Sequence, residues 1–185
     1  MLHQRHPMRY VDCMATGTLV PITQYLTTSY HPDREYVDGE VLERNVGEKD
    51  HSLLQTELAL YLGSLRKALG IWVLVEQRLQ VSADRCRIPD LCAGSGVLPD
   101  EQVFTQPPFL CVEILSKDDR MSEMQERIDD YLRFGVSCVW VINPRNRRGW
   151  IYTSDGMTEA KDGLLRTQKP KITVPLAEIF APLAG

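Results

Sequence analysis

Two acids stand where strand-forming sequence does not ordinarily hold them. Asp90 follows a proline in "RCRIPDLCAG", and Glu113 sits inside "FLCVEIL", 23 residues further on. Proline cannot donate to a sheet ladder, and a carboxylate costs free energy wherever water is excluded, so both segments need something that compensates them. The stretch between them, "GSGVLPDEQVFTQPP", is rich in turn formers, which leaves the acids on separate strands that can be neighbours. Two carboxylates a few ångströms apart repel, and one keeps its proton, unless a cation lies between them; oxygen donors of this kind suit Mg2+ or Mn2+. An ion so held activates water and offsets charge on a phosphodiester, which is hydrolytic chemistry. The plainer reading makes Asp90 a strand-end acid capping a turn and Glu113 a buried acid paired with an arginine such as Arg85 or Arg87.

The elements that must position these acids can be read from periodicity. Asp38-Gly39 in "REYVDGEVLER" predicts a hairpin with Glu35 and Glu40 on its paired strands. Leu54, Leu58, Tyr61, Leu62, Leu65 and Leu69 recur at helical spacing, with Ser52 and Gln55 as a capping box and Gly70 as the stop. "IWVLVEQRLQV", "CRIPDLC" and "FLCVEIL" read as three strands. Met121, Met124, Ile128, Tyr131 and Leu132 mark a second amphipathic helix ending at Gly135, with Ser116 and Asp119 as its N-cap pair. "SCVWVIN" is a buried strand closed by Asn143-Pro144; "GWIYTS" and an Asp155-Gly156 hairpin follow, and "KITVPLAEIF" closes the chain. The order implies an α/β (α+β) fold, a mixed central sheet with a helix on either face and hairpins near both ends.

Residues 1–17 show no periodicity and read as a disordered leader, with residues 18–185 as one domain. The chain is 43% hydrophobic and 25% charged, the composition of an ordinary globular domain. No apolar run approaches the roughly 20 residues that a spanning helix requires, and no signal-peptide pattern opens the sequence, so a cytoplasmic protein with no membrane partner is expected. Cys13, Cys86, Cys92, Cys111 and Cys138 lack metal-ligand spacing and are expected to be reduced, structural thiols. A net charge of −4 gives no global attraction for nucleic acid. Two local basic clusters remain as candidate phosphate contacts or plain solvated surface: Arg145, Arg147 and Arg148, and Lys161, Arg166, Lys169 and Lys171.

In combination, "REYVDGEV", His51 at the mouth of a leucine-rich helix, "RIPDL", "PPFLCVEILSKDD" and "YLRFGVSCVWVINP" resemble the Uma-two family of restriction-endonuclease-like proteins, a branch of the PD-(D/E)xK nuclease superfamily. The resemblance runs from about residue 20 to 160. It implies a core of order α-β-β-β-α-β and a Mg2+ or Mn2+ site built from Glu35, Asp90 and Glu113, in an endonuclease that cleaves DNA. By analogy, such a nuclease is a homodimer, since two strands need two sites. On sequence alone Glu35 reads equally as an exposed hairpin acid.

One departure from the superfamily pattern bears on the chemistry. A lysine is expected two residues after the second acid, where this chain has Leu115. In the resembling family the lysine lies on the following helix, four residues before the tyrosine, and that position is Arg127 here. Arginine stays protonated and cannot act as a base, but it can pair with a carboxylate or hold a phosphate bidentately. It reads equally as a surface arginine beside Glu123. Lys117 is expected to point to water, and His51 reads as a first-turn polar residue rather than a catalytic one. The competing function is a catalytically silent module that keeps the fold and binds nucleic acid or a protein partner.

Overall fold

The computed structural model describes residues 19–44 and 48–184, so the expected leader lies outside the described residues. In chain order the elements are α1 (Ile22–Thr27), β1 (Arg34–Val37), β2 (Glu40–Glu43), α2 (Lys49–Ser64), α3 (Arg66–Leu69), β3 (Ile71–Val75), β4 (Leu79–Ser82), β5 (Arg85–Arg87), β6 (Leu91–Ser95), β7 (Leu110–Ile114), α4 (Met121–Phe134), β8 (Cys138–Asn143), β9 (Arg148–Thr153), β10 (Gly156–Glu159), β11 (Leu164–Thr167), β12 (Ile172–Pro175) and α5 (Leu176–Phe180). Six strands form a mixed sheet in the order β10-β9-β8-β7-β6-β3, with β7 and β8 parallel. A second, antiparallel sheet has the order β2-β1-β5-β4, and β11 pairs with β12.

Strand alternation gives the large sheet its two buried faces. Leu110, Val112 and Ile114 of β7 pack with Leu54, Leu58 and Leu62 of α2, while Cys111 and Leu115 pack with Met124, Ile128 and Tyr131 of α4 on the other face. Glu113 alternates onto the α4 face. The helix-on-either-face architecture read from the sequence is therefore present, and both glycine stops hold: Gly70 and Gly135 have φ of 62° and 110°, where a side chain would be strained. The periodic stretch to Leu69 is not one helix, however, because Leu65 breaks it into α2 and α3.

The long strands expected from "IWVLVEQRLQV" and "CRIPDLC" are each two strands, β3 with β4 and β5 with β6. Together they form one ribbon that bends from the large sheet into the small one, since β3 pairs with β6 and β4 with β5. Both arms break at the same level. On one arm Glu76 takes φ of 51°, and on the other Pro89 has no N–H for a ladder. Across the break the Glu76 N–H donates to the Asp90 carbonyl at 3.2 Å. This explains the proline and acid that interrupt the strand: Asp90 is the residue at which the ribbon re-enters the large sheet.

Further expectations are corrected. Ser52 lies inside α2, which starts at Lys49 without a side-chain cap, and Gln55 instead donates to the Asp90 carbonyl at 3.0 Å. The closing segment is strand β12 followed by helix α5, because Leu176, Ile179 and Phe180 bury one helical face. Helix α1, which no periodicity in the sequence marks, packs Tyr25 against Tyr36 and Cys86 of the small sheet. Cys86, Cys92, Cys111 and Cys138 are buried and unbridged, and burial pushes their thiols above the ordinary range, so none is an activated nucleophile; Cys13 lies outside the described residues. Among the described residues no helix is long and apolar enough to cross a membrane.

Gly94 lies directly across the β3–β6 pair from Trp72, and a Cβ there would fall 1.9 Å from the indole. Gly94→Ala is therefore expected to destabilise the protein by about 1–3 kcal/mol, read by urea unfolding, because the indole is buried and packed edge-on against Phe104 and must shift to make room.

Candidate functional site

Asp90, Glu113 and Glu35 are all buried, and each has one oxygen on a neutral donor and the other beside a guanidinium. For Asp90, which begins the re-entry into β6, Oδ2 accepts the Ile114 N–H at 2.7 Å and Oδ1 accepts from Arg44 at 3.1 Å. For Glu113 on β7, Oε1 accepts the Tyr131 hydroxyl at 2.6 Å, and Oε2 lies 3.8 Å from Arg127 Nη1. For Glu35 on β1, Oε1 accepts the Ile88 N–H at 3.1 Å, and Oε2 lies 2.8 Å from Arg87 and 3.4 Å from Arg127. Burial on this scale needs such partners, since an uncompensated carboxylate out of water is costly.

Asp90 and Glu113 open onto one cavity of about 20 Å3, lined also by Arg44, His51, Ser116, Asp119 and Arg127. Glu35 does not line it. It is 2% exposed, not the solvent-facing hairpin acid of the plainer reading, and Arg127 bridges it to Glu113. Burial, and then the charge of Asp90, push the Glu113 carboxyl up to about 8, against the opposing pull of Arg127 and the Tyr131 hydroxyl. Glu113 thus keeps its proton well above the ordinary carboxyl range even with a guanidinium beside it.

Two further side chains reach Asp90. Arg44 follows β2, and His51 in the first turn of α2 places Nε2 3.1 Å from Asp90 Oδ2. Burial opposes charge on His51, but the hydrogen bond to Asp90 and its negative charge prevail and raise its pKa above the ordinary value. Neither residue is legible as functional from sequence: Arg44 gives no local signal, and His51 reads as a lone first-turn histidine. Ser116 is not the N-cap of α4, which starts at Met121; its N–H donates to Asp119 Oδ2 at 2.6 Å in the turn before the helix.

The donor set fits one divalent ion at the Asp90–Glu113 pair. Both side chains offer oxygen donors, and the cavity has room for a body about the size of a water. Among the described residues, no group of three His, Cys, Asp or Glu side chains converges closely enough to hold an ion, and Glu35 stands off from the pair.

The sequence profile of the Uma2 family, described as "Putative restriction endonuclease", matches residues 24–181. The chain belongs to the Uma2 family. Its fold is that of a crystal structure of "a putative nuclease belonging to DUF820" from Anabaena variabilis, with a TM-score of 0.75 at 18% identity over 88% of this chain and 98% of that one. No curated protein matches. In this Uma2 chain the position two residues after Glu113 is a core residue, since Leu115 packs with Met124 and Ile128. Arg127 supplies the positive charge at Glu113 from α4 instead. The exposed Lys117 pairs with Glu48. All three arginines of the basic cluster after β8 have internal partners: Arg145 donates to the Ser116 carbonyl, Arg147 to the Leu183 carbonyl, and Arg148 pairs with Glu159.

Proposed function

We propose that this Uma2 protein is an endonuclease that hydrolyses DNA phosphodiester bonds with one Mg2+ or Mn2+ held by Asp90 and Glu113. The observation that carries this reading is the meeting of two buried carboxylates, one from the break before β6 and one from β7, in one cavity beside Arg127. When bound, such an ion supplies an activated water and offsets charge that develops on the phosphate.

The chain's own residues hold the geometry. The Ile114 N–H and the Tyr131 hydroxyl fix one oxygen of each acid, so the carboxylates are oriented before any ligand arrives. Arg127 keeps its proton throughout and acts as an electrophilic contact, not as a base. Glu35 assists from outside the cavity by positioning Arg127. A two-fold dimer would present two such sites to the two strands of a duplex.

A silent binding module is the second reading. What favours it is that the acids already carry arginine partners and that the lysine position holds Leu115. Plasmid nicking separates the two. With Mg2+ or Mn2+ the wild type is expected to convert supercoiled DNA to open circles, and Asp90→Ala to match a chelator control. Equal nicking by both proteins would remove Asp90 from the chemistry, and none by the wild type would favour the binder.

A further inference from the structure

Asp90 and Glu113 share a pattern in this cavity, and His51 Nε2 is a further partner of Asp90 Oδ2. Asp90 Oδ2 and Glu113 Oε1 rest on donors that do not leave, a main-chain N–H and a buried hydroxyl. Asp90 Oδ1 and Glu113 Oε2 face guanidiniums, Arg44 at 3.1 Å and Arg127 at 3.8 Å, that stand at the end of long side chains from different elements. Both arginines line the same cavity, and each is largely but not wholly buried, with 16% and 17% of its side chain exposed. A cation between the two acids would compete with these guanidiniums for the same oxygens.

We infer that Arg44 and Arg127 are exchangeable partners: they occupy the outer oxygens of Asp90 and Glu113 in the metal-free protein, give up those oxygens when a divalent ion enters and Glu113 releases its proton, and then clamp the scissile phosphate. The inference rests on the metal-dependent reading above. Its physical basis is charge. With the acids committed to an ion, two fixed positive charges remain at the cavity wall, and a phosphodiester anion is what they are suited to hold, through paired N–H donors. Arg44 cannot be exchanged for lysine without loss, because an ammonium lacks the planar fork.

A residue that merely propped up Asp90 would predict the opposite sign for metal affinity, and the test reads that sign. Free Mn2+ followed by electron paramagnetic resonance gives the dissociation constant without any turnover, and cleavage of a duplex oligonucleotide gives kcat/KM. For Arg44→Gln and Arg127→Gln the removal of a competing like charge is expected to tighten Mn2+ on the order of tenfold, while kcat/KM falls at least about tenfold. Arg44→Lys, which preserves the charge if the glutamine variant does not fold, is expected to bind Mn2+ as the wild type does and still lose kcat/KM. Weaker Mn2+ binding in the glutamine variants, or unchanged kcat/KM in Arg44→Lys, overturns this inference alone. Wild-type protein that takes up no Mn2+ overturns the metal reading and this inference with it.

Discussion

Arg87→Leu is expected to cost about 3–5 kcal/mol of stability, the range found when one partner of a buried ion pair is removed. Arg87 is buried, and its guanidinium donates to Glu35 at 2.8 Å through Nη1 and to Asp130 at 2.8 Å through Nε. Leucine would leave Glu35 with the Ile88 N–H and the more distant Arg127, and Asp130 with Arg85 and Arg133. The consequence reaches function because Asp130 lies on α4, the helix that carries Arg127 and Tyr131. The Arg87 bridge therefore ties that helix to the small sheet and sets where Arg127 stands. Urea unfolding measures the loss, and adding Glu35→Gln to Arg87→Leu should recover part of it by removing one stranded charge. A loss under about 1 kcal/mol would mean that the buried network is not what holds α4 in place.

Glu113→Gln is expected to separate stability from activity. The folded chain holds the Glu113 proton up to about 8, whereas the ordinary value is 4.5, so between these limits the folded state binds a proton that the unfolded state has released. Stability from this group is thus fully present below pH 4.5 and is lost as pH rises through about 8. Glutamine does not titrate and still accepts the Tyr131 hydroxyl. The metal-free variant should match the wild type at pH 4 and exceed it by on the order of 2–4 kcal/mol at pH 8.5, since each tenfold change in proton affinity is worth roughly 1.4 kcal/mol. Metal-dependent cleavage should fall on the order of a thousandfold. Thermal melts across this pH range decide the first part, and a variant that gains nothing above pH 8 would show that Glu113 is ionised at no cost.

How much of the molecule is legible in its sequence depends on whether the signal is local. Leucines and methionines at helical spacing, the Asp38-Gly39 turn and the glycine stops each act within a few residues, and they place both helices and the hairpins. Asp90 and Glu113 stand out because each violates the apolar run around it. Arg44 and His51 violate nothing in their own segments, and they matter only because tertiary packing brings them to Asp90 across 46 and 39 residues of sequence. The split of each long apolar stretch into two strands escapes for a related reason. Pro89 marks one arm of the ribbon, but Glu76 carries no comparable mark, and its turn is imposed by pairing across the break. Glu35 illustrates the reverse case: an acid in a hairpin reads as exposed until Arg87 from another strand is seen to bury it.

The most direct test is calorimetric titration of Mn2+ into the DNA-free protein at pH 7, repeated in two buffers of different ionisation heat and with Asp90→Asn. One ion per chain is expected, with release of about one proton as Glu113 gives up its own, and binding should be lost in the variant. Absence of uptake by the wild type, or an isotherm unchanged in Asp90→Asn, would contradict a divalent ion shared by Asp90 and Glu113.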